Sequence, residues 1–164
     1  MLSVVADDRG LGGLRLMVRA VDPSFVKDYD SESSNHPNLW GDRFDVSRWG
    51  FLAALLDGER LGSAVVAWDT PGVEMLEGRR DLAVLWDLRV APAARRTGIG
   101  TTLFRSAGQW AAARGARRLK VETQNINVAA CRFYASQGCT LGAIHRFAYP
   151  SLPNEVQLLW YKDL

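Results

Sequence analysis

The chain has few cysteines, few histidines and almost no excess of charge of either sign. Its 164 residues include two cysteines and two histidines, and 20 Lys and Arg stand against 18 Asp and Glu. Such an even balance of positive and negative charge argues against a nucleic-acid partner. Cys131 and Cys139 lack metal-ligand spacing, and a pair this sparse is typical of unpaired, partly buried thiols. The sequence therefore predicts neither a bound metal nor a disulfide.

Long apolar runs are absent as well. No run in the sequence approaches the ~20 residues of a membrane-spanning helix, and residues 1–13 lack the basic-then-apolar order of a signal peptide. We therefore expect a cytoplasmic protein without a membrane partner. Apolar residues make up 48% and charged residues 23%, which for this length predicts a single domain over residues 1–164.

The apolar periodicity predicts a mixed sheet with helices packed on it, an α/β (α+β) fold. A hairpin is expected around Asp57-Gly58, a dipeptide typical of tight reversals, while 23–48 has no clear period and 70–80 is polar enough for a loop. Strands are predicted at 14–18, 49–56, 61–68, 81–90, 118–123, 139–149 and 155–161, and helices at 100–114 and 127–137.

The turn before the first predicted helix has the composition of an anion site. This segment, here called the Arg-Gly turn, consists of Arg95, Arg96, Thr97, Gly98, Ile99, Gly100 and Thr101. The first N–H groups of a helix lack intrahelical partners and the helix dipole is positive there, which suits a phosphate. A packing role for the glycines and a solvated surface for the arginines would explain the same residues.

The spacing Arg-x-x-Gly-x-Gly in this turn resembles the pyrophosphate-binding motif of GNAT acetyltransferases. A second match follows at the family's distance, Asn127-x-x-Ala130-x-x-Phe133-Tyr134 and then Gly138. The run VETQNINVAACRFYASQG and the ending LLWYKDL look like streptothricin acetyltransferases, a GNAT branch that acetylates an amine in the β-lysine part of a cationic antibiotic. The resemblance is strongest over residues 86–161.

The resemblance implies acetyl-coenzyme A as co-substrate and a mostly antiparallel central sheet with a splayed central strand. The Arg-Gly turn would hold the diphosphate, and Asn127 and Ala130 would contact the coenzyme. Tyr134 stands where the family places its tyrosine acid, although it also fits a core aromatic. The oxyanion of the attacked thioester would be met by a backbone N–H in Leu88, Arg89 or Val90.

Two carboxylates are candidates for the base that removes the amine proton. Asp87 and Glu122 both lie on strands expected to border the acetyl group, and a role as surface carboxylates is equally open. The chain departs from the family at Trp86, where relatives tend to carry a second carboxylate, at Cys139, which replaces a common aromatic, and in the enlarged loop 70–80.

A cationic acceptor would need an acidic wall. Asp28, Asp30 and Glu32, with the aromatic Tyr29 and Trp40, could form one, and a solvated acidic loop would account for them equally well. No cysteine has an identifiable histidine partner, so direct attack in a ternary complex is predicted.

A small-molecule amine is therefore the expected acceptor. The alternatives are an acetyltransferase acting on protein or peptide amines, and a non-catalytic acyl-coenzyme A binding module. A homodimer is a further possibility, which the sequence leaves open.

Overall fold

The structure is a computed structural model that describes residues 1–20 and 36–164. By backbone contacts the chain divides into two compact units, residues 1–31 with 122–161 (the first unit) and residues 32–121 with 162–164 (the second unit). The helices and strands are β1 Leu2–Asp7, β2 Gly13–Val18, α1 Trp40–Arg43, β3 Gly50–Leu56, β4 Glu59–Trp68, β5 Leu82–Val90, α2 Ile99–Ala112, β6 Arg118–Gln124, α3 Val128–Ser136, β7 Thr140–His145 and β8 Gln157–Asp163.

The described strands form two sheets. β1 and β2 pair antiparallel by themselves, and the remaining strands form a sheet of order β3-β4-β5-β6-β8-β7. The pairs β3–β4, β4–β5 and β7–β8 are antiparallel, whereas β5–β6 is parallel. The predicted mixed, mostly antiparallel α/β fold is confirmed.

The β3–β4 hairpin forms where Asp57-Gly58 predicted it. Both residues have positive φ, 52° and 85°, the left-handed conformation that a two-residue hairpin turn requires and that glycine adopts at no steric cost. In the β4–β5 ladder, Val65 pairs with Asp87 and Val66 with Leu85, so Trp86 is the extra residue of a β-bulge.

The core of the second unit combines α2 with an aromatic cluster. α2 buries Leu103, Phe104, Ala107 and Ala111, the apolar stripe that its periodicity predicts. The aromatic cluster consists of Trp40, Phe44, Trp49 and Trp86, with ring centroids 5.2 to 6.2 Å apart. The buried Trp49 indole donates to Thr70 Oγ1 at 2.9 Å, which satisfies its polar atom.

The loop 70–80 is fastened to β6 by a buried lysine. Its Val73 and Leu76 are buried, and the Lys120 side chain, only 4% exposed, donates to the Met75 carbonyl at 3.1 Å and to Glu77 Oε1 at 2.7 Å. The loop is therefore anchored by apolar burial and an ion pair.

The first unit contains β1, β2, α3, β7 and the adjoining parts of β6 and β8. Buried Trp160 donates its indole N–H to Thr123 Oγ1 at 2.9 Å. Asn125, also buried, donates to the carbonyl of Leu2 at 2.8 Å and accepts from the N–H of Val156 at 2.8 Å. These buried polar groups fix the end of β6 in place.

Some boundaries differ from those predicted. Leu2–Asp7 forms a strand that the sequence did not predict, and the strand expected over 139–149 ends at His145. Cys131 and Cys139 are both buried. In residues 1–20 and 36–164, no helix is long and apolar enough to cross a membrane.

Candidate active site

The Arg-Gly turn leads from β5 into α2 through two left-handed residues. Arg96 has φ 64° and Gly98 has φ 93°. Gly98 is the N-cap of α2, and the bond from Thr102 N–H to its carbonyl is 3.0 Å long. The N–H groups of the first turn therefore project from the helix end, where an anion is favoured. A Cβ built on Gly98 meets nothing within 4 Å, so open space lies beside it.

Side chains brace this turn from within. Arg95 Nε donates to the Val90 carbonyl at 3.2 Å, and Thr97 Oγ1 donates to the Ala94 carbonyl at 2.7 Å. Arg96, which lies between these two residues, is exposed, so the turn keeps a cationic surface. An apolar groove of about 560 Å³ runs beside it, lined by Ala54, Leu55, Leu56, Leu61, Ala91, Ala93, Ala94, Thr97 and Ile99. The turn fits a diphosphate because it combines main-chain donors with arginine charge.

The end of β5 presents backbone donors on the side away from β4. The N–H of Ala91 donates to the Leu61 carbonyl at 2.9 Å, and N–H directions alternate along a strand. The N–H of Arg89 therefore faces β4, whereas those of Leu88 and Val90 point away from it. The β5–β6 ladder joins Leu82–Leu85 to Arg118–Val121 and β5 runs on to Val90, as expected of a splayed strand.

Asp87 is engaged in an ion pair. Arg89 Nε lies 2.9 Å from its Oδ1 and 3.1 Å from its Oδ2, and the Asp87 side chain is 17% exposed. Its neighbour Trp86 packs against Phe44 and Trp49 in the aromatic cluster. Asp87 is thus compensated by a guanidinium, and Trp86 has a packing role.

Glu122 lies in the first unit, within a network of uncharged donors. The Tyr149 hydroxyl donates to its Oε1 at 2.5 Å, and Gln157 Nε2 donates to its Oε2 at 2.8 Å. Gln124 Nε2 donates to the Tyr149 oxygen at 3.0 Å and lies 3.3 Å from Glu122 Oε1. We call Glu122, Gln124, Tyr149 and Gln157 the Glu122 network.

Burial, followed by the neighbouring Glu122 carboxylate, raises the pKa of Tyr149 far above its ordinary value. The hydroxyl therefore remains protonated and a donor at neutral pH. Sequence reasoning did not include Tyr149 or Gln157 in the site. In the sequence they are polar residues on either side of the turn at Pro150 to Pro153, and this pattern does not predict that they bind the Glu122 carboxylate.

α3 carries the other predicted coenzyme contacts. Asn127 is its N-cap, and Asn127 Oδ1 accepts from the Ala130 N–H at 3.1 Å. Tyr134 is 8% exposed, and its ring meets Phe133 edge-on at 5.2 Å. The sequence left capping and coenzyme contact open for Asn127, and the structure shows the cap.

The predicted residues thus fall into two groups, one in each unit. The second unit holds Asp87, the β5 donors and the Arg-Gly turn, and the first unit holds Glu122, Asn127, Ala130 and Tyr134. Of the proposed acidic wall, Asp28, Tyr29, Asp30 and Glu32 lie outside the described residues. Trp40 is buried in the aromatic cluster, 7% exposed, so its ring packs in the core.

The described residues offer no cluster of three or more His, Cys, Asp or Glu side chains that could hold a metal ion. Burial raises the pKa of the Cys131 thiol, and its sulfur lies 3.3 Å from Thr123 Oγ1. A thiol so placed stays protonated and is a poor nucleophile.

A helix start that presents main-chain donors follows a strand whose parallel ladder ends early, the arrangement that the resemblance to GNAT acetyltransferases predicts. Residues 15–139 match the model of the acetyltransferase (GNAT) family. The chain belongs to this family, whose acetyl donor is acetyl-coenzyme A, and the predicted enzyme class is confirmed.

Individual relatives are similar over different shares of their length. The chain is 32% identical to streptothricin acetyltransferase of Escherichia coli over 152 residues, 91% of this chain and 76% of that protein. It is 38% identical to streptothricin acetyltransferase A of Bacillus subtilis (strain 168) over 81 residues, 48% of this chain and 47% of that protein. The chain thus spans about half of the B. subtilis relative.

A solved relative shares the fold over nearly the whole chain. It is a Bacillus anthracis str. Ames protein of the streptothricin acetyltransferase type, solved in complex with acetyl coenzyme A. Its TM-score is 0.71 at 25% identity, covering 99% of this chain and 82% of that one. The predicted streptothricin-type resemblance is confirmed at the level of sequence and fold.

Proposed function

We propose that residues 1–164 act as one N-acetyltransferase domain that transfers the acetyl group of acetyl-coenzyme A to a primary amine of a small cationic molecule, with streptothricin as the first acceptor to test. The observation that carries this proposal is the start of α2, where left-handed Arg96 and Gly98 present main-chain donors for a diphosphate. The names of the E. coli and B. subtilis relatives support the acceptor.

The acceptor amine must first lose a proton. An alkylamine with a pKa near 10.4 is neutral in about one molecule in a few thousand at pH 7, a handicap of roughly 4 to 5 kcal/mol. We assign Glu122 as the base, acting directly or through water, because the Asp87 carboxylate is already paired with Arg89. Asp87 then serves to orient the Arg89 guanidinium on the same strand.

The remaining roles follow from the backbone and from α3. The N–H groups of Leu88 and Val90, which point away from β4, are the candidate oxyanion donors. The N–H of Arg89 faces β4, so Arg89 contributes to the site only through its side chain, which pairs with Asp87. Tyr134 would protonate the departing thiolate, and Asn127 would contact the pantetheine arm. Since the Cys131 thiol is held protonated, direct attack by the amine accounts for transfer without a covalent enzyme intermediate.

The proposal is tested by thiol release from acetyl-coenzyme A with streptothricin and a panel of amines. We expect turnover by the wild type, a fall in kcat of about 10² to 10⁴ for Tyr134→Phe and Glu122→Gln, and a smaller effect for Asp87→Asn. Turnover with peptides but not with streptothricin would favour protein acetylation. Binding of acetyl-coenzyme A without turnover of any amine would identify a binding module instead.

We also propose a cytoplasmic homodimer that binds neither nucleic acid nor membrane. Among the described strands β3 lies at the edge of the sheet, and its Phe51 and Leu55 are 61% and 65% exposed. Antiparallel pairing of two β3 strands about Ala53 would place Phe51 opposite the partner's Leu55. Light scattering should show a dimer that Ala53→Pro dissociates, because proline removes a ladder donor.

A further inference from the structure

The Glu122 carboxylate is gripped from three positions that are distant in sequence. Tyr149, in the segment between β7 and β8, donates to Oε1 at 2.5 Å, and Gln157, at the start of β8, donates to Oε2 at 2.8 Å. Each carboxylate oxygen thus has its own donor from a different part of the first unit. Such a pair of bonds restricts rotation of the carboxylate about its last side-chain torsion.

Gln124 determines the direction of the Tyr149 bond. Its Nε2 donates to the Tyr149 oxygen at 3.0 Å, so a lone pair of that oxygen is used. An amide N–H cannot accept, whereas a carboxylate oxygen can only accept. The hydroxyl hydrogen therefore points at Glu122, and the network has one consistent proton arrangement.

The donors that face Glu122 are uncharged. Among the described contacts of the Glu122 carboxylate, all three donors are neutral side chains, Tyr149, Gln124 and Gln157. Neutral donors bind a carboxylate without placing a positive charge beside it, whereas Asp87 pairs with the Arg89 guanidinium. None of these three donors would therefore compete with a cationic amine for the Glu122 carboxylate.

We propose that Tyr149 is a positioning residue whose hydroxyl, together with Gln124 and Gln157, holds the Glu122 carboxylate in the orientation from which it takes the proton of the acceptor amine. This inference rests on the proposed role of Glu122 as the base. Without the hydroxyl, Glu122 Oε1 loses its 2.5 Å bond and the carboxylate can rotate away from the amine, so transfer slows although both substrates still bind.

The test separates catalysis from binding. We expect Tyr149→Phe to lower kcat with streptothricin by about tenfold to a hundredfold, because a base displaced by about 1 Å can cost that much. KM for streptothricin and the affinity for acetyl-coenzyme A, measured by calorimetry, should stay close to the wild-type values. In a Glu122→Gln background the same substitution should lower kcat no further, because Tyr149 acts only through Glu122.

The matched control is Tyr161→Phe, which removes a tyrosine hydroxyl from β8 in the same unit and should leave kcat unchanged. Gln157→Ala removes the donor to the other carboxylate oxygen and should also lower kcat if Tyr149→Phe folds poorly. A merely structural tyrosine would lower the melting temperature without lowering kcat of the folded enzyme.

The outcomes separate this inference from the proposed function. An unchanged kcat in both Tyr149→Phe and Gln157→Ala, with an active wild type, overturns the inference and leaves the proposed function standing. An equal fall in kcat for Tyr149→Phe in the wild type and in Glu122→Gln also overturns it, because Tyr149 would then act without Glu122. A wild type that turns over no amine refutes the acetyltransferase assignment and, with it, the inference.

Discussion

The ion pair that fastens loop 70–80 should respond asymmetrically to removal of its two partners. Lys120 is buried, with 4% of its side chain exposed, whereas Glu77 is 45% exposed. Glu77→Ala takes the carboxylate away from a buried ammonium that still donates to the Met75 carbonyl, while Lys120→Met removes the buried charge and leaves the half-exposed Glu77 in contact with water and Arg79. We therefore expect the glutamate substitution to be the more harmful.

The magnitude follows from the exposure of the pair. Breaking a fully buried pair by removing one partner costs about 3 to 5 kcal/mol, and solvent screening at a half-exposed glutamate reduces this to about 2 kcal/mol for Glu77→Ala. Lys120→Met should cost about 1 kcal/mol or less, because removing the charge also removes the free-energy cost of burying it. The double variant should resemble Lys120→Met.

The free energy of unfolding is measured by urea denaturation followed by circular dichroism at pH 7. Asp81→Ala, which removes an exposed ion pair with Arg79, is the matched control and should leave the free energy of unfolding nearly unchanged. If Lys120→Met destabilises as much as Glu77→Ala, the burial argument is wrong.

The same variants have a predictable pH dependence. The hydrogen bond from Lys120 holds the pKa of Glu77 below its usual value. A carboxyl whose pKa is lower in the folded state contributes stability above the unfolded pKa, and this contribution disappears as the pH falls through the folded pKa. The difference between the wild type and Glu77→Ala should therefore be largest at neutral pH and shrink in acid.

Three further substitutions test other parts of the structure. Gly98→Val places a β-branched residue at φ 93° and should weaken acetyl-coenzyme A binding about tenfold or more in calorimetry, because the turn must distort; unchanged affinity would place the diphosphate elsewhere. Gly50→Ala puts a Cβ 2.6 Å from the Trp110 ring and should cost about 1 to 3 kcal/mol in urea; a neutral result would contradict this packing. Trp49→Phe removes the bond to Thr70 and should cost about 1 to 2 kcal/mol, with no change expected in acetyl-coenzyme A affinity.

Features set by neighbouring residues were predictable from the sequence. Asp57-Gly58 determines the hairpin because a two-residue reversal needs positive φ at both positions. α2 follows from a clean apolar stripe, and α3 from its Asn cap and the glycine behind it. The motifs around these two helices were also enough to indicate the family.

Features set by distant residues were not predictable. Tyr149 meets Glu122 across 27 residues and Gln157 meets it across 35, and no local pattern records such contacts. Tyr149 looked like the end of a strand, yet β7 stops at His145. The strand Leu2–Asp7 escaped prediction because its sequence, LSVVAD, does not alternate between apolar and polar residues, and its pairing with Gly13–Val18 defines it.

The bulge at Trp86 also limits the length of the hydrogen-bonded ladder between β5 and β6. A bulged strand bends and twists more strongly, and β5 leaves its parallel neighbour after Leu85, one residue before the bulge. Deleting Trp86 would straighten β5, let the parallel ladder lengthen, and consume the N–H groups of Leu88 and Val90. A single extra residue in β5 thus determines where the parallel ladder ends and which backbone donors stay unused by it.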